Sequence, residues 1–307
     1  MAWHRIPVKV FEISGMKIGG SLGELPTVLI GSLFYSRQIE VRNHQRGEFD
    51  RVRTAEIVRE AKSLSERTGN PLVLDIMGYY PEAMKNYLRF IADVADCPIL
   101  LDGSDTQTRL EGLEEAERLG MCSRLIYDAI SPDTSDEELA ALKDHKIESA
   151  IVMAYDKSDF TPEGRVRALT GKGDKQGLLR LVERAGVVKP LIDTVVLDVP
   201  SIVLAGEAIR LVHENFGYPA GCSPANATYE WKRSKMDSTW KRSFDSCDAS
   251  ANVALQLMGA NFLIYGPLKA AKYVFPACAM ADAMIAYQAR KHGIKPLAKD
   301  HPIYKIF

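Results

Sequence analysis

Apolar residues fall along the chain in two alternating patterns. Short runs that are apolar at nearly every position start near Pro26 (PTVLIG), Pro71 (PLVLD), Pro98 (PILLD), Ser123 (SRLIYD), Glu148 (ESAIVMAYD), Leu191 (LIDTVVLD), Tyr218 (YPAGC) and Asn261 (NFLIYG). Such runs predict strands buried on both faces. Between them apolar residues recur at helical spacing, as in Ile57, Val58, Ala61 and Leu64, in Met84, Leu88, Ile91 and Ala92, in Leu110, Leu113, Ala116 and Leu119, in Leu139 and Leu142, and in Leu178, Leu181, Val182 and Ala185. Parallel strands need a crossover between them, and eight such units close on themselves. The expected fold is therefore α/β, a (β/α)8 TIM barrel, with an open doubly wound sheet as the alternative.

Local signals sharpen the boundaries. Ser135 with Glu138 forms a capping box, and Gly120 and Gly186 stand where helices should stop. Pro81 suits a first helical turn, whereas Pro276 falls inside the last long helical segment and should kink it. Ahead of the first strand, VFEISGMKIGG reads as a β-hairpin turning at Ser14 and Gly15 that plugs the bottom of the barrel. With neither linker nor low-complexity segment, residues 1–307 are expected to form one domain.

Composition then narrows the partners. The chain has 46% hydrophobic and 26% charged residues and a formal net charge of −1, an ordinary globular balance that gives no general attraction for nucleic acid or anionic lipid. Its five cysteines include no CxxC pair, the N-terminus MAWHRIPVKV has no signal-like apolar run, and no stretch is long enough for a membrane helix. A cytoplasmic protein without membrane insertion is the expectation.

The strand ends carry the chemistry. Asp75, Asp102, Asp128, Asp156 and Asp198 are each read at the end of a strand run, and in a barrel those ends meet at the rim where active sites are built. Aspartate also starts turns and caps helices, so each alone has an ordinary explanation; their convergence on one mouth does not. An acidic mouth suits a cation, but DxDxDG spacing is absent and no metal is expected. It also suits a neutral heterocycle rich in donors. The 2-amino-4-oxo-pyrimidine head of a pterin presents an N–H and an NH2 side by side, and one carboxylate accepts both.

Five motifs in order, FEISGMKIGG, ELPTVLIGSLFY, TGNPLVLDIMG with PEAM, GCSPANATYEW and GANFLIYGP, resemble the H subunit of tetrahydromethanopterin S-methyltransferase and its bacterial relatives, the methylcobalamin:tetrahydrofolate methyltransferases. The resemblance runs over nearly the whole chain. It implies a pterin held between Asp75, Asp102 and Asp156, with Asn226 of GCSPANAT beside N5, so that Asp75 and Asn226 carry the chemistry. Related corrinoid enzymes have DSxN where this chain reads DGSD, which adds Ser104 and Asp105 to the candidates and leaves open whether Asp102 or Asp105 contacts the pterin. The implied reaction moves a methyl group from methylcobalamin to N5 of tetrahydrofolate. Orientation and exclusion of water matter more in it than acid or base catalysis. Service to tetrahydromethanopterin, or non-catalytic presentation of a pterin inside a complex, are the alternatives. A homodimer is implied by the relatives, and a corrinoid-binding protein is the expected partner, since no DxHxxG motif is present.

Two further motifs are set against this reading. LTGKGDK fails the GxxxxGK[ST] spacing, and is left as a rim loop or a contact for the folate glutamate tail. YEWKRSKMDSTWKR mixes Trp231 and Trp240 with lysines and arginines, a pattern of single-strand binding. In a chain of near-zero net charge it is read instead as an extended docking loop after the seventh strand. The six histidines fall on helices, loops or termini and are given no catalytic part.

Overall fold

The computed structural model describes residues 6–172 and 175–307. Strands β1 (Val10–Ile13) and β2 (Met16–Gly19) pair antiparallel, with Ser14 and Gly15 at φ 49° and 81° in the two-residue turn. Two consecutive positive φ values match the right-handed twist of the flanking strands. The barrel begins at β3 (Val28–Leu33), whose long outgoing loop folds a ribbon, β4 (Val41–Asn43) and β5 (Glu48–Phe49), ahead of α1 (Arg51–Thr68). It continues through β6 (Leu72–Gly78), α2 (Pro81–Val94), β7 (Ile99–Gly103), α3 (Thr106–Arg118), β8 (Leu125–Ile130), α4 (Asp136–Asp144), β9 (Ser149–Met153) and α5 (Pro162–Thr170). A second ribbon, β10 (Gly171–Lys172) with β11 (Lys175–Gln176), leads to α6 (Leu178–Arg184), β12 (Lys189–Asp193), α7 (Ile202–Phe216) and β13 (Ala220–Cys222). Then come α8 (Pro224–Ser234), α9 (Ser238–Arg242), α10 (Phe244–Leu257), β14 (Phe262–Pro267), α11 (Ala271–Ala289) and α12 (Pro302–Lys305).

Eight strands, in the order β12, β13, β14, β3, β6, β7, β8, β9, close into a parallel barrel. The (β/α)8 expectation and the N-terminal hairpin both stand. Because strand side chains alternate, each strand feeds two cores. Val28, Ile30, Val73, Leu100, Ile126, Ile151 and Leu191 point inward and pack with Ile13 and Ile18 of the hairpin, which closes the lower end. Leu29, Leu74, Leu101, Tyr127 and Val152 point outward and pack against the helices. Ser135 and Glu138 make the expected capping box, and Gly120 and Gly186 take positive φ just beyond α3 and α6. Pro276 lies inside α11.

Three expectations need correction. The fifth barrel strand, β9, ends at Met153, short of Asp156. The sixth strand ends at Asp193 rather than Asp198, because Val195 takes the left-handed conformation at φ 54° and turns the chain away from the sheet. The segment after β13 is helical rather than an extended loop. Pro224 opens α8, Arg233 pairs with Glu230 one turn back, and the Asp237 side chain caps α9. Within LTGKGDK, Gly173 and Asp174 lie outside the described residues.

At the end of the barrel opposite the rim, α11 is locked to the strands by one carboxylate. Asp282 is buried and accepts from Thr27 N at 3.0 Å, Thr27 Oγ1 at 3.0 Å and Asn70 Nδ2 at 2.6 Å. Thr27 and Asn70 stand just before β3 and β6, so this network sets where two adjacent strands begin. Asp282→Ala should lower unfolding free energy by about 2 to 4 kcal/mol, since it strands buried donors. Denaturant titration measures that loss, and ligand affinity at the opposite end should be unchanged in the folded variant.

Candidate functional site

Alternation along the strands decides what lines the mouth. One step of two residues beyond the inward apolar layer lie Ser32, Asp75, Asp102, Asp128 and Asp193, following Ile30, Val73, Leu100, Ile126 and Leu191. Register brings them together, with Ser32 opposite Asp75 on β3 and β6, and Asp102 opposite Asp128 on β7 and β8. Asp75 and Asp193 are buried, while Asp102 and Asp128 remain partly open toward the mouth. The Ser32 hydroxyl donates to Asp75 Oδ2 at 2.5 Å, but Asp75 Oδ1 is buried without a partner.

Gathering carboxylates is electrostatically costly, and their titration reflects it. Burial, then the charge of Asp102, pushes Asp75 well above the usual carboxylate range, against the opposing Ser32 hydroxyl. Asp128 is likewise raised by burial, then by Asp102, Asp75 and Asp193. Burial lifts Asp102 to about 6 against the Arg109 guanidinium, and Asp193 to about 6 against the Val195 N–H and Arg165.

The wall behind β7 and β8 holds that counter-charge in place. Arg109 donates from Nη1 to Gly103 O at 2.7 Å and from Nε to Glu138 Oε1 at 2.8 Å, and Tyr127 donates its hydroxyl to the same Glu138 oxygen at 2.5 Å. Glu138 is fully buried and also closes the α4 capping box, so helix start and rim charge share one side chain.

The remaining candidates lie elsewhere. Asp105 is exposed and caps α3, accepting from Thr108 N at 2.8 Å, while Ser104 donates to Asp105 Oδ2 at 3.1 Å. Asp156 lies beyond β9, half-buried, accepting from Ser158 N at 2.8 Å and Ser158 Oγ at 2.7 Å in a local turn. Asp198 is exposed and accepts from Ser201 N at 2.9 Å just ahead of α7, a helix-start role. Asn226 is exposed on the first turn of α8, which follows β13 at the rim. Sequence reading misses Asp193 and Ser32, although the two-residue step from Leu191 and Ile30 marks both. Among the described residues no group of three or more His, Cys, Asp or Glu side chains is arranged to hold a metal ion.

A buried carboxyl titrating above its unfolded value of about 3.9 stabilises the native state at low pH, and that contribution is lost as pH rises through the folded value. For Asp193 the loss spans the interval from the unfolded value up to about 6. The ligand-free melting temperature of Asp193→Asn should therefore fall less than that of the parent chain between about pH 4 and about pH 7. Calorimetry across that interval tests this, and parallel slopes would remove Asp193 from the titrating set.

Comparison with known proteins agrees with this architecture. The family model of the tetrahydromethanopterin S-methyltransferase MtrH subunit matches residues 7–297. The H subunit of tetrahydromethanopterin S-methyltransferase from Methanocaldococcus jannaschii is 35% identical over 312 residues, with 97% of each chain covered. The corresponding protein from Methanothermobacter thermautotrophicus is 35% identical with equal coverage, and the H subunit of a putative mtx methyltransferase from Methanosarcina barkeri is 32% identical with 96% of each covered. Among solved structures, Yersinia pestis dihydropteroate synthase superposes with a TM-score of 0.59 at 12% identity, covering 90% of this chain and 98% of that one, and the Thermus thermophilus enzyme with 0.56 at 15%, covering 88% and 97%. At such identities the likeness is one of fold. By the family match and by its identity to these relatives, the chain belongs to the MtrH family of methyltransferase subunits.

Proposed function

We propose that the chain moves a methyl group between a corrinoid and N5 of a tetrahydropterin, with the pterin head seated in the carboxylate mouth. The observation that carries this reading is Asp75 Oδ1, a buried acceptor without a partner beside three further carboxylates. A site of acceptors calls for a ligand of donors, and the N–H and NH2 of a 2-amino-4-oxo-pyrimidine ring meet one carboxylate as a matched pair. Asp75 and Asp102 hold the ring, Asp128 and Asp193 close the acidic floor, and Asp156 or Ser104 and Asp105 meet parts of the ligand nearer the rim. The N-terminal turn of α8 brings Asn226 toward N5. Its amide donates or accepts as that nitrogen changes state, and this does not require a strong acid or base.

The resemblance to the bacterial methylcobalamin:tetrahydrofolate methyltransferases favours tetrahydrofolate, whereas the names of the relatives favour tetrahydromethanopterin; both share the head read by the mouth. When docked, the corrinoid supplies the methyl group. This chain's residues orient the acceptor nitrogen and exclude water around it. A corrinoid-binding protein would cover the rim beside α8 and α9. A second copy would cover α11, where Met280, Met284 and Tyr287 are exposed on one face at 49%, 49% and 65%.

Calorimetry with tetrahydrofolate and tetrahydromethanopterin tests the seat. Asp75→Ala should weaken whichever pterin binds by more than about ten-fold, the effect of losing a charge-assisted bond. Asp198→Ala should leave the affinity within about two-fold, since that carboxylate serves a helix start. Equal losses in the two variants would overturn the assignment of the mouth. Asn226→Ala should lower the rate of methyl transfer from methylcobalamin more than it weakens pterin binding, because its contact changes most as N5 changes bonding. Stopped-flow rates set beside binding constants separate the two, and matching losses would make Asn226 a residue of binding alone.

A further inference from the structure

Arg165, on the first turn of α5, is one of the largest fully buried side chains in the molecule, at 2% exposure. Its hydrogen bonds end on carbonyls, from Nη1 to Phe160 O at 2.7 Å and from Nη2 to Val195 O at 3.1 Å, and its Nε is buried without a partner. A buried guanidinium needs a counter-charge. The nearby Asp159 is taken up by Thr161, which donates to it from N at 3.0 Å, and by Arg167. Asp193 remains, and Val195 links the two. The Val195 N–H donates to Asp193 Oδ1 at 2.7 Å while its carbonyl accepts from Arg165. Both bonds depend on the left-handed turn at Val195, φ 54°, a costly conformation for a β-branched residue.

We propose that Arg165 is a positioning residue of the mouth, orienting the Asp193 carboxylate through the turn at Val195 and supplying its counter-charge. Through Phe160 O the same side chain ties down the loop between β9 and α5, which carries Asp156, so one guanidinium sets two segments of the rim. The charged or titratable groups around Asp193 are Asp128 from β8, Cys222 from β13 and Arg165 from α5. Asp128 opposes the ionised form, and Arg165 is the cation among them. Its removal should therefore leave Asp193 protonated over more of the neutral range, an effect that a purely structural arginine would not have.

The inference rests on the pterin reading of the mouth, but it can be tested without any ligand. Carbon-13 carboxyl resonances of aspartate-labelled protein are followed against pH, and the Asp193 signal is identified by its loss in Asp193→Asn. In the parent chain it should titrate near 6. Arg165→Gln keeps a hydrogen-bond donor and loses the charge, so the midpoint should rise by about one unit or more. Arg165→Lys keeps the charge, so the midpoint should stay near that of the parent chain. Tetrahydrofolate affinity near pH 7 should then fall several-fold in Arg165→Gln, recover at higher pH, and be largely restored in Arg165→Lys. An unmoved midpoint in Arg165→Gln overturns the proposal, as does an equal shift in both variants. If neither variant folds while Asp193→Asn does, Arg165 belongs to the fold alone and the proposal is overturned. A shifted midpoint with no tetrahydropterin binding in the parent chain would sustain the link to Asp193 and remove only the pterin reading.

Discussion

Closure of the sheet is the constraint on which the rest depends. In a closed parallel barrel every second side chain of every strand enters one shared interior, so the inner face is a joint property of eight strands. In the lower part that interior is filled by aliphatic side chains and Phe262 and sealed by Ile13 and Ile18 of the hairpin. One pleat higher the same alternation must place Ser32, Asp75, Asp102, Asp128 and Asp193 around one opening. The site is thus a layer of the barrel, continuous with its core, and a slip of one residue in β6, β7, β8 or β12 would exchange a carboxylate for a side chain that belongs against the helices.

That layer is costly for the ligand-free protein. Four carboxylates raised by burial, Asp75 and Asp128 also by the charges of their neighbours, share a mouth in which Asp75 Oδ1 finds no donor. The surroundings offset the cost without abolishing it. Arg109 is fixed behind Asp102 by Glu138 and Gly103, and Arg165 stands behind Asp193 across Val195. Both guanidinium groups spend these bonds on carbonyls and on Glu138, outside the mouth, so acceptor capacity is left for a ligand. Full neutralisation would make the apo protein more stable and the mouth less able to hold a donor-rich ring.

Much of this is legible in the sequence, and the exceptions have physical causes. The eight strands and most helices follow from periodicity because both faces of each strand are buried, and Asp75, Asp102 and Asp128 follow because they interrupt apolar runs. Asp193 escapes because LIDTVVLD continues with β-branched residues that read as strand. The turn at Val195 joins a local bond, from its N–H to the Asp193 side chain two residues back, to a tertiary one, from Arg165 to its carbonyl, and the tertiary half leaves no local signal. Asp198 reads as a rim carboxylate for the same reason. Helix α8 escapes because charged residues hide a pattern whose buried side, Ala225, Ala227 and Thr228, is made of small residues, and α9 escapes because its five residues bury none. Arg165 is invisible because a buried arginine has the same letter as a solvated one.

Backbone strain falls beside the mouth in two places, and this bears on the chemistry. Phe34, just beyond β3 and two residues past Ser32, takes φ 65°, held by its N–H to Gln38 Oε1 and by a ring stacked 3.8 Å from Tyr87. Val195, two residues past Asp193, takes φ 54°. Non-glycine residues in that region cost about 1 to 3 kcal/mol each and persist only where the surroundings over-determine them. Both turns lead the chain sharply away from the strand end, leaving the polar side chain at the edge of the opening while the following loop packs outside. A methyl transfer between two large partners gains little from proton donors and much from an acceptor nitrogen held still in line. On the proposed reading, rigid turns that fix Ser32 and Asp193 at the mouth answer that requirement more directly than another ionisable group would.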